Sequence, residues 1–299
     1  MTDAHNTETP DADAAPRCYR HPDRATYISC QRCGRPICTQ CQTQAAVGVQ
    51  CPECLREGRD QVAPRTPGWV NALRPRGNSV VTYTLIGLNV VIYALQWITG
   101  QGLTAAWYLF PYVIGSEPWR LITSAFLHST SIILVHLLVN MYALYLFGPL
   151  LESFLGRARF IALYLIGALG GSLGVLTAVE VWIFTDGNPL TAPVGSLGAS
   201  GAIFALLGAV FAMRKALGVD VRQLFALLVI NLAIPFFIGG IAWEAHVGGL
   251  IIGFLIGLVL VSTRRRQDLT KQIAGIAGIA VGLLVLFGAY LVSAPAIYF

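Results

Sequence analysis

The chain has 299 residues, of which 55% are hydrophobic and 12% charged. Soluble domains average about a quarter charged residues, so this composition excludes an ordinary water-soluble globule. A net charge of +5 would suit a nucleic-acid binder, but the basic residues are spaced in a way that serves membrane topology instead.

In chain order, residues 1–17 are polar, acidic and rich in Ala, Thr and Pro, which predicts a disordered tail. No basic segment followed by an apolar core opens the sequence, so no secretory signal peptide is expected. All seven cysteines then fall between Cys18 and Cys54. They read Cys18-x2-His21, Cys30-x2-Cys33, Cys38-x2-Cys41 and Cys51-x2-Cys54. A two-residue spacing lets both side chains of a tight turn face one tetrahedral ion, and zinc takes four S or N ligands in such sites. A disulfide framework would leave an odd cysteine and would conflict with a cytoplasmic location, where thiols stay reduced. Residues 18–57 therefore predict a small zinc-binding domain whose eight ligands suit two ions. So short a segment has little core, so metal would supply most of its folding energy. Its closed sites suit the binding of a cytoplasmic protein partner or regulation, not catalysis. Residues 58–79, with Pro64, Pro67, Gly68, Pro75 and Gly77 among basic residues, read as a linker.

From Val80 onward come seven apolar stretches: Val80–Thr99, Ile132–Leu151, Phe160–Phe184, Leu197–Met213, Leu224–Ile241, Ala245–Ser262 and Ile273–Ala294. Each is near the roughly 20 residues that cross a bilayer as a helix, which predicts an all-α polytopic membrane protein over 80–299. Basic residues cluster in the linker (Arg65, Arg74, Arg76) and in alternate loops (Arg157 and Arg159; Arg214, Lys215 and Arg222; Arg264, Arg265, Arg266 and Lys271). The other loops hold only Arg120. The positive-inside rule then puts the N-terminus in the cytoplasm and the C-terminus outside. This placement accounts for the positive charge, and no nucleic-acid partner is expected.

Polar groups at membrane depth are costly, so each is a functional candidate. His128, His136 and His246 lie in or beside spans, and Asn140 follows His136 by one helical turn. Ser200 sits in Gly198-Ala199-Ser200-Gly201 at the start of the fourth span. With the N-terminus inside, the second, fourth and sixth spans all enter from outside. His136, Asn140, Ser200 and His246 all lie near those entries, at similar depth. A serine needs an adjacent base, for which neutral histidine is the usual choice, and attack on a carbonyl needs preorganised donors for the oxyanion. Asn140, His136 and the Ser200 N–H could serve. Glu244 falls on a different helical face from His246, so a Ser–His dyad is expected. Gly249, Gly253 and Gly257 share a stripe with His246, and Gly201, Ala205 and Ala209 form another beside Ser200. Such stripes allow close helix approach. Phe204, one turn below Ser200, is expected to pack beneath the His246 ring.

These residues carry a resemblance. Trp119-Arg120, His136-x3-Asn140, Gly198-x-Ser200-Gly201 and Ala245-His246-x-Gly248-Gly249 occur in the order seen in rhomboid proteases, over Val80 to Phe299. The resemblance implies a rhomboid-like six-helix core followed here by a seventh C-terminal helix. It also implies a serine endopeptidase that cleaves single-pass membrane proteins in the lipid bilayer near the outer face, with no cofactor for catalysis. Ser200 would be nucleophile and His246 base, with His136 and Asn140 in the oxyanion hole. Two departures stand out: a long interval from His128 to His136, and Trp243-Glu244 just before the Ala-His pair, where the substrate gate would be affected. The head resembles B-box-type zinc fingers, in which alternate pairs share a metal. That implies one ion on Cys18, His21, Cys38 and Cys41, and another on Cys30, Cys33, Cys51 and Cys54. Similar heads on actinobacterial rhomboids imply a bacterial cell membrane. Two alternatives are an inactive rhomboid-like protein that binds or escorts membrane clients, and a transporter or ion channel. The first usually lacks the nucleophile or base. The second would carry acidic residues near the bilayer midplane, where these spans hold almost none; Glu180 lies near an outer end.

Overall fold

The computed structural model describes residues 15–45, 48–61, 79–131, 134–186, 195–220, 222–234, 237, 241–263 and 268–293. The chain divides into two compact units, Met1–Thr66 and Pro67–Phe299.

In the first unit, β1 (Thr43–Gln44) and β2 (Val49–Gln50) pair antiparallel, and α1 (Pro52–Gln61) follows. Isolated bridges join Arg17 to Ala25 and Ser29 to Pro36. Among the described residues pairing is seen from Arg17, inside the segment expected to be tail, and α1 runs through residues 58–61 of the expected linker. The rest of that tail, and 62–78 of the linker, lie outside the described residues. The buried hydrophobic side chains described here are six cysteines and Ile37, with Thr26 as a buried polar one. Sulfur fills the place of an apolar core.

The second unit opens with α2 (Val80–Ile98), followed by the short α3 (Gln101–Trp107) and α4 (Arg120–Thr123). Then come α5 (Val135–Leu155), α6 (Arg157–Asp186), α7 (Ser200–Leu217), α8 (Arg222–Ala233), α9 (Trp243–Ser262) and α10 (Leu269–Ser293). Among the described residues, α2, α5, α6, α7, α9 and α10 are the six helices long and apolar enough to cross a membrane. This is a multi-pass membrane protein. Of the fifth expected span, Leu224–Ile241, the described residues hold the 12-residue α8, and 235, 236 and 238–240 lie outside them. Pro235 disfavours helix at the residue before it.

From Gly201 to Val210 every residue of α7 is buried, as suits a helix enclosed by others. Its closest neighbour is α9. A Cβ on Gly249 would come within 2.0 Å of Gly201 O, and one on Gly253 within 1.9 Å of Ala205 O. The two expected small-residue stripes therefore face each other, backbone against backbone. A third small face was not anticipated: on α6, Gly171 lies against Gly201 and Ala245, and Gly174 against Glu244 and Gly248. At the far end of the bundle, the buried Glu152 carboxylate of α5 accepts hydrogen bonds from Val81 N–H, Thr82 N–H and the Thr82 hydroxyl (3.0, 2.8 and 2.7 Å). It caps the otherwise unsatisfied N-terminus of α2. By contrast α10 buries only Gln272, Leu283 and Tyr290 among its described side chains.

Candidate active site

α7 begins at Ser200 with no side-chain cap, and its first ladder bond runs from Ile203 N–H to Ala199 O, 3.0 Å. The N–H groups of Ser200, Gly201 and Ala202 are thus outside the ladder, at the positive end of the helix dipole. The lead-in segment is held by the loop between α2 and α5. Leu109 and Ser196 exchange two N–H···O bonds, and Gly198 N–H donates to Ser124 O at 2.9 Å. Gly198 has φ +128°. A Cβ there would sit 2.9 Å from His136 Cε1, 3.0 Å from His136 Nε2 and 3.8 Å from Ser200 Oγ. Glycine alone both adopts this backbone and lets the ring and the hydroxyl flank the same spot.

His136 lies in the first turn of α5, and its Nδ1 accepts the Ser129 N–H at 3.2 Å. A neutral ring that accepts at Nδ1 carries its proton on Nε2, the nitrogen beside Gly198. His246 lies in the first turn of α9, stacked on Phe204 with centroids 4.1 Å apart and planes 5° from parallel. Its Nδ1 is buried without a hydrogen-bond partner among the described residues. Among the described residues it is the Phe204 ring, and not a carboxylate, that meets this ring. Ser200 and His246 thus stand on adjacent turns of packed helices, with no hydrogen bond joining them among the described residues. Such bonds are often long before substrate binds. Asn140 is buried, and its Nδ2 donates to His136 O at 2.8 Å.

Trp119 is exposed, whereas Arg120 is buried. The Arg120 guanidinium pairs with Glu117 and donates to Ala105 O and Tyr108 O at 2.6 and 2.8 Å. It clamps the loop next to Leu109, which itself holds Ser196. His128 is fully buried, its ring edge-on to His136 with centroids 5.2 Å apart, so the long interval still brings the two rings together. Trp243 and Glu244 line a groove of about 620 Å³ with residues of α6 and α10. Sequence reasoning passed over Gln96, Ser129 and Glu152. Gln96 had a signal, being an amide inside the first span. Ser129 acts through its backbone and carried none.

In the first unit, Cys18, His21, Cys38 and Cys41 form one cluster and Cys30, Cys33, Cys51 and Cys54 another, each with ligand atoms within 4.8 Å of one another. All seven cysteines are free. Cys38 and Cys41 Sγ both lie 3.4 Å from His21 Nδ1, and the Cys33 and Cys51 sulfurs are 3.8 Å apart. A tetrahedral ion with metal–sulfur bonds of about 2.3 Å requires edges of about 3.8 Å, so both donor sets fit. The Arg35 guanidinium, donating to Cys33 Sγ, holds that thiol below its ordinary pKa.

The rhomboid domain family model matches residues 115–263. The putative rhomboid protease YdcA of Bacillus subtilis (strain 168) is 32% identical over 162 residues, covering 52% of this chain and 73% of that protein. This chain belongs to the rhomboid family. RHOMBOID-like protein 6, mitochondrial, of Arabidopsis thaliana is 35% identical over 158 residues, 50% of this chain and 45% of the relative. Rhomboid protease GluP of Bacillus subtilis (strain 168) is 30% identical over 201 residues, 63% of this chain and 36% of the relative. The match thus spans less than half the length of these last two.

Proposed function

We propose that this protein is an intramembrane serine endopeptidase that cleaves single-pass membrane proteins within the bilayer. The observation that carries the reading is the convergence at the N-terminus of α7. The His246 ring is stacked on Phe204 one turn from Ser200, while the Nε2 face of His136 and Ser200 Oγ flank Gly198. Ser200 Oγ attacks the scissile carbonyl carbon and passes its proton to His246, acting as base. The oxyanion receives hydrogen bonds from His136 Nε2–H, the Ser200 N–H and the Asn140 amide. His246 then gives its proton to the leaving amine, and water releases the acyl group by the same route. The buried, unpartnered His246 Nδ1 supports a dyad. The spacing of basic residues supports a cytoplasmic N-terminus, an extracytoplasmic C-terminus and cleavage near the outer face. The likeness of the head to those of actinobacterial rhomboids supports a bacterial cell membrane.

We further read the first unit as a structural zinc domain, with Cys18, His21, Cys38 and Cys41 as one ligand set and Cys30, Cys33, Cys51 and Cys54 as the other. Bound zinc would supply the folding energy of the unit and leave its surface free for a cytoplasmic partner.

The test of the protease reading is labelling by a serine-reactive fluorophosphonate. Labelling of the wild-type chain that disappears in Ser200→Ala and His246→Ala supports the dyad. A folded wild-type protein that never labels and cleaves no single-pass protein from a panel belongs instead with inactive client-binding relatives.

A further inference from the structure

Two amides are buried in α2. Asn89 bonds back to Leu85 O of its own helix, but Gln96 reaches a different segment. Its Oε1 accepts the His128 N–H at 2.9 Å, and its Nε2 donates to His128 O at 3.1 Å and to Thr104 Oγ1 at 3.0 Å. Gln96 is 2% exposed, so these bonds are shielded from water, and leaving their partners unmatched is costly.

The His128 carbonyl and the Ser129 N–H belong to one peptide unit, which is planar and trans, so they point in opposite directions. Gln96 grips the carbonyl side. The N–H side donates to His136 Nδ1 at 3.2 Å. That bond keeps the His136 proton on Nε2, beside Gly198 and Ser200. A half-turn of the peptide plane would break the Gln96 bond and turn the carbonyl toward Nδ1. The ring would then favour Nδ1–H and lose its donor on the Ser200 side.

We propose that Gln96 is a positioning residue that holds the His128–Ser129 peptide in register and thereby sets His136 in the Nε2–H form. Its effect on turnover rests on the reading of His136 as an oxyanion donor; its effect on the tautomer does not.

The experiment uses the full chain in lipid nanodiscs with ring-15N histidine, the His136 signal being assigned by its loss in His136→Gln. Wild type gives neutral Nε2–H. Gln96→Met keeps the length and apolar packing of the side chain and removes all three bonds; a substantial Nδ1–H fraction appears. Its kcat for a membrane-protein substrate falls about tenfold or more, with KM within about twofold of wild type. Gln96→Glu serves as the second variant. While neutral, its carboxyl can accept from His128 N–H and donate to His128 O; once ionised it repels that carbonyl. Raising the pH converts the His136 signal in this variant and not in wild type. A His136 ring that stays wholly Nε2–H in Gln96→Met, or shows no added pH dependence in Gln96→Glu, overturns the proposal. So does a wild-type ring already protonated at Nδ1. Lost tautomer control with unchanged kcat upholds the positioning role and removes His136 from the chemistry.

Discussion

The two units of this chain differ in what their reactive side chains do for the fold. In the first, the buried hydrophobic side chains described are six cysteines and Ile37, so the groups that can grip an ion also make up most of the interior. In the second, Ser200 and His246 stand at helix starts, above a seam closed by Gly201, Ala205 and Ala209 against Gly249, Gly253 and Gly257. That seam needs neither the hydroxyl nor the imidazole. A reactive group can be the fold or be carried by it, and the two cases respond oppositely to substitution.

The sharpest break between them is expected at Ser200. Ser200→Ala lowers turnover by about 10⁶-fold, the scale for removing a serine nucleophile, with an unchanged thermal midpoint. His246→Ala loses as much activity and a little stability, about 0.5–1.5 kcal/mol, because its ring also stacks on Phe204. Cleavage assays beside thermal denaturation read both effects. Substantial cleavage by purified Ser200→Ala protein would end the dyad assignment.

The reverse behaviour is expected of the head. The purified chain should carry two zinc ions, each contributing about 10–16 kcal/mol of apparent binding energy. Strong chelation should open residues 17–58 to protease while fluorophosphonate labelling of Ser200 persists. A head that resists protease in chelator, or cysteines oxidised in the cell, would erase the contrast drawn above.

Within the membrane unit the comparison can be sharpened with glycines. A Cβ at Gly253 would meet Ala205 O at 1.9 Å, whereas at Gly278 nothing lies within 4 Å. Gly253→Ala therefore pushes α9 from α7 and costs roughly 1–3 kcal/mol, the usual range for overpacking. It also lowers turnover, because the Phe204–His246 stack spans the same seam. Gly278→Ala should leave stability and activity unchanged. Equal midpoints for the two would show that the seam tolerates more space than its backbone contacts imply.

Several of these features were readable before the fold. The span order, the two facing stripes and the Phe204–His246 stack follow from a period of about 3.6 residues in apolar sequence, where each polar or small residue stands out. The paired Cys/His motifs were legible because ligand spacing is local. The Gly170, Gly171 and Gly174 face of α6 was not, since glycines are common in membrane helices and nothing local says which helix they meet. Glu152 sits just past a predicted span end, and nothing local says that it caps α2 some 70 residues earlier in the chain. Gln96 was hidden for a similar reason: its partner, the His128 backbone, lies 32 residues on. Of the fifth expected span, only the part up to Ile234, residue 237 and residue 241 fall among the described residues.

The smallest expected effect is at Asn140, and it divides chemistry from fold inside one side chain. Its amide nitrogen has two N–H donors, and one is engaged by His136 O at 2.8 Å. That bond is structural, lying within α5. The second N–H is the one assigned to the oxyanion. Losing such a donor typically costs about 10²–10³-fold in rate. His136 and the Ser200 N–H would partly compensate, so Asn140→Ala is expected to lower kcat by roughly tenfold or more while KM stays near wild type, because the donor acts mainly in the transition state. If Asn140 served packing alone, the change would resemble loss of a membrane side-chain hydrogen bond, on average about 0.6 kcal/mol of stability, and folded enzyme would turn over normally. Measuring kcat beside the thermal midpoint separates the two. Near-normal turnover in a destabilised protein would move Asn140 out of the site, leaving His136 and the α7 terminus to stabilise the oxyanion.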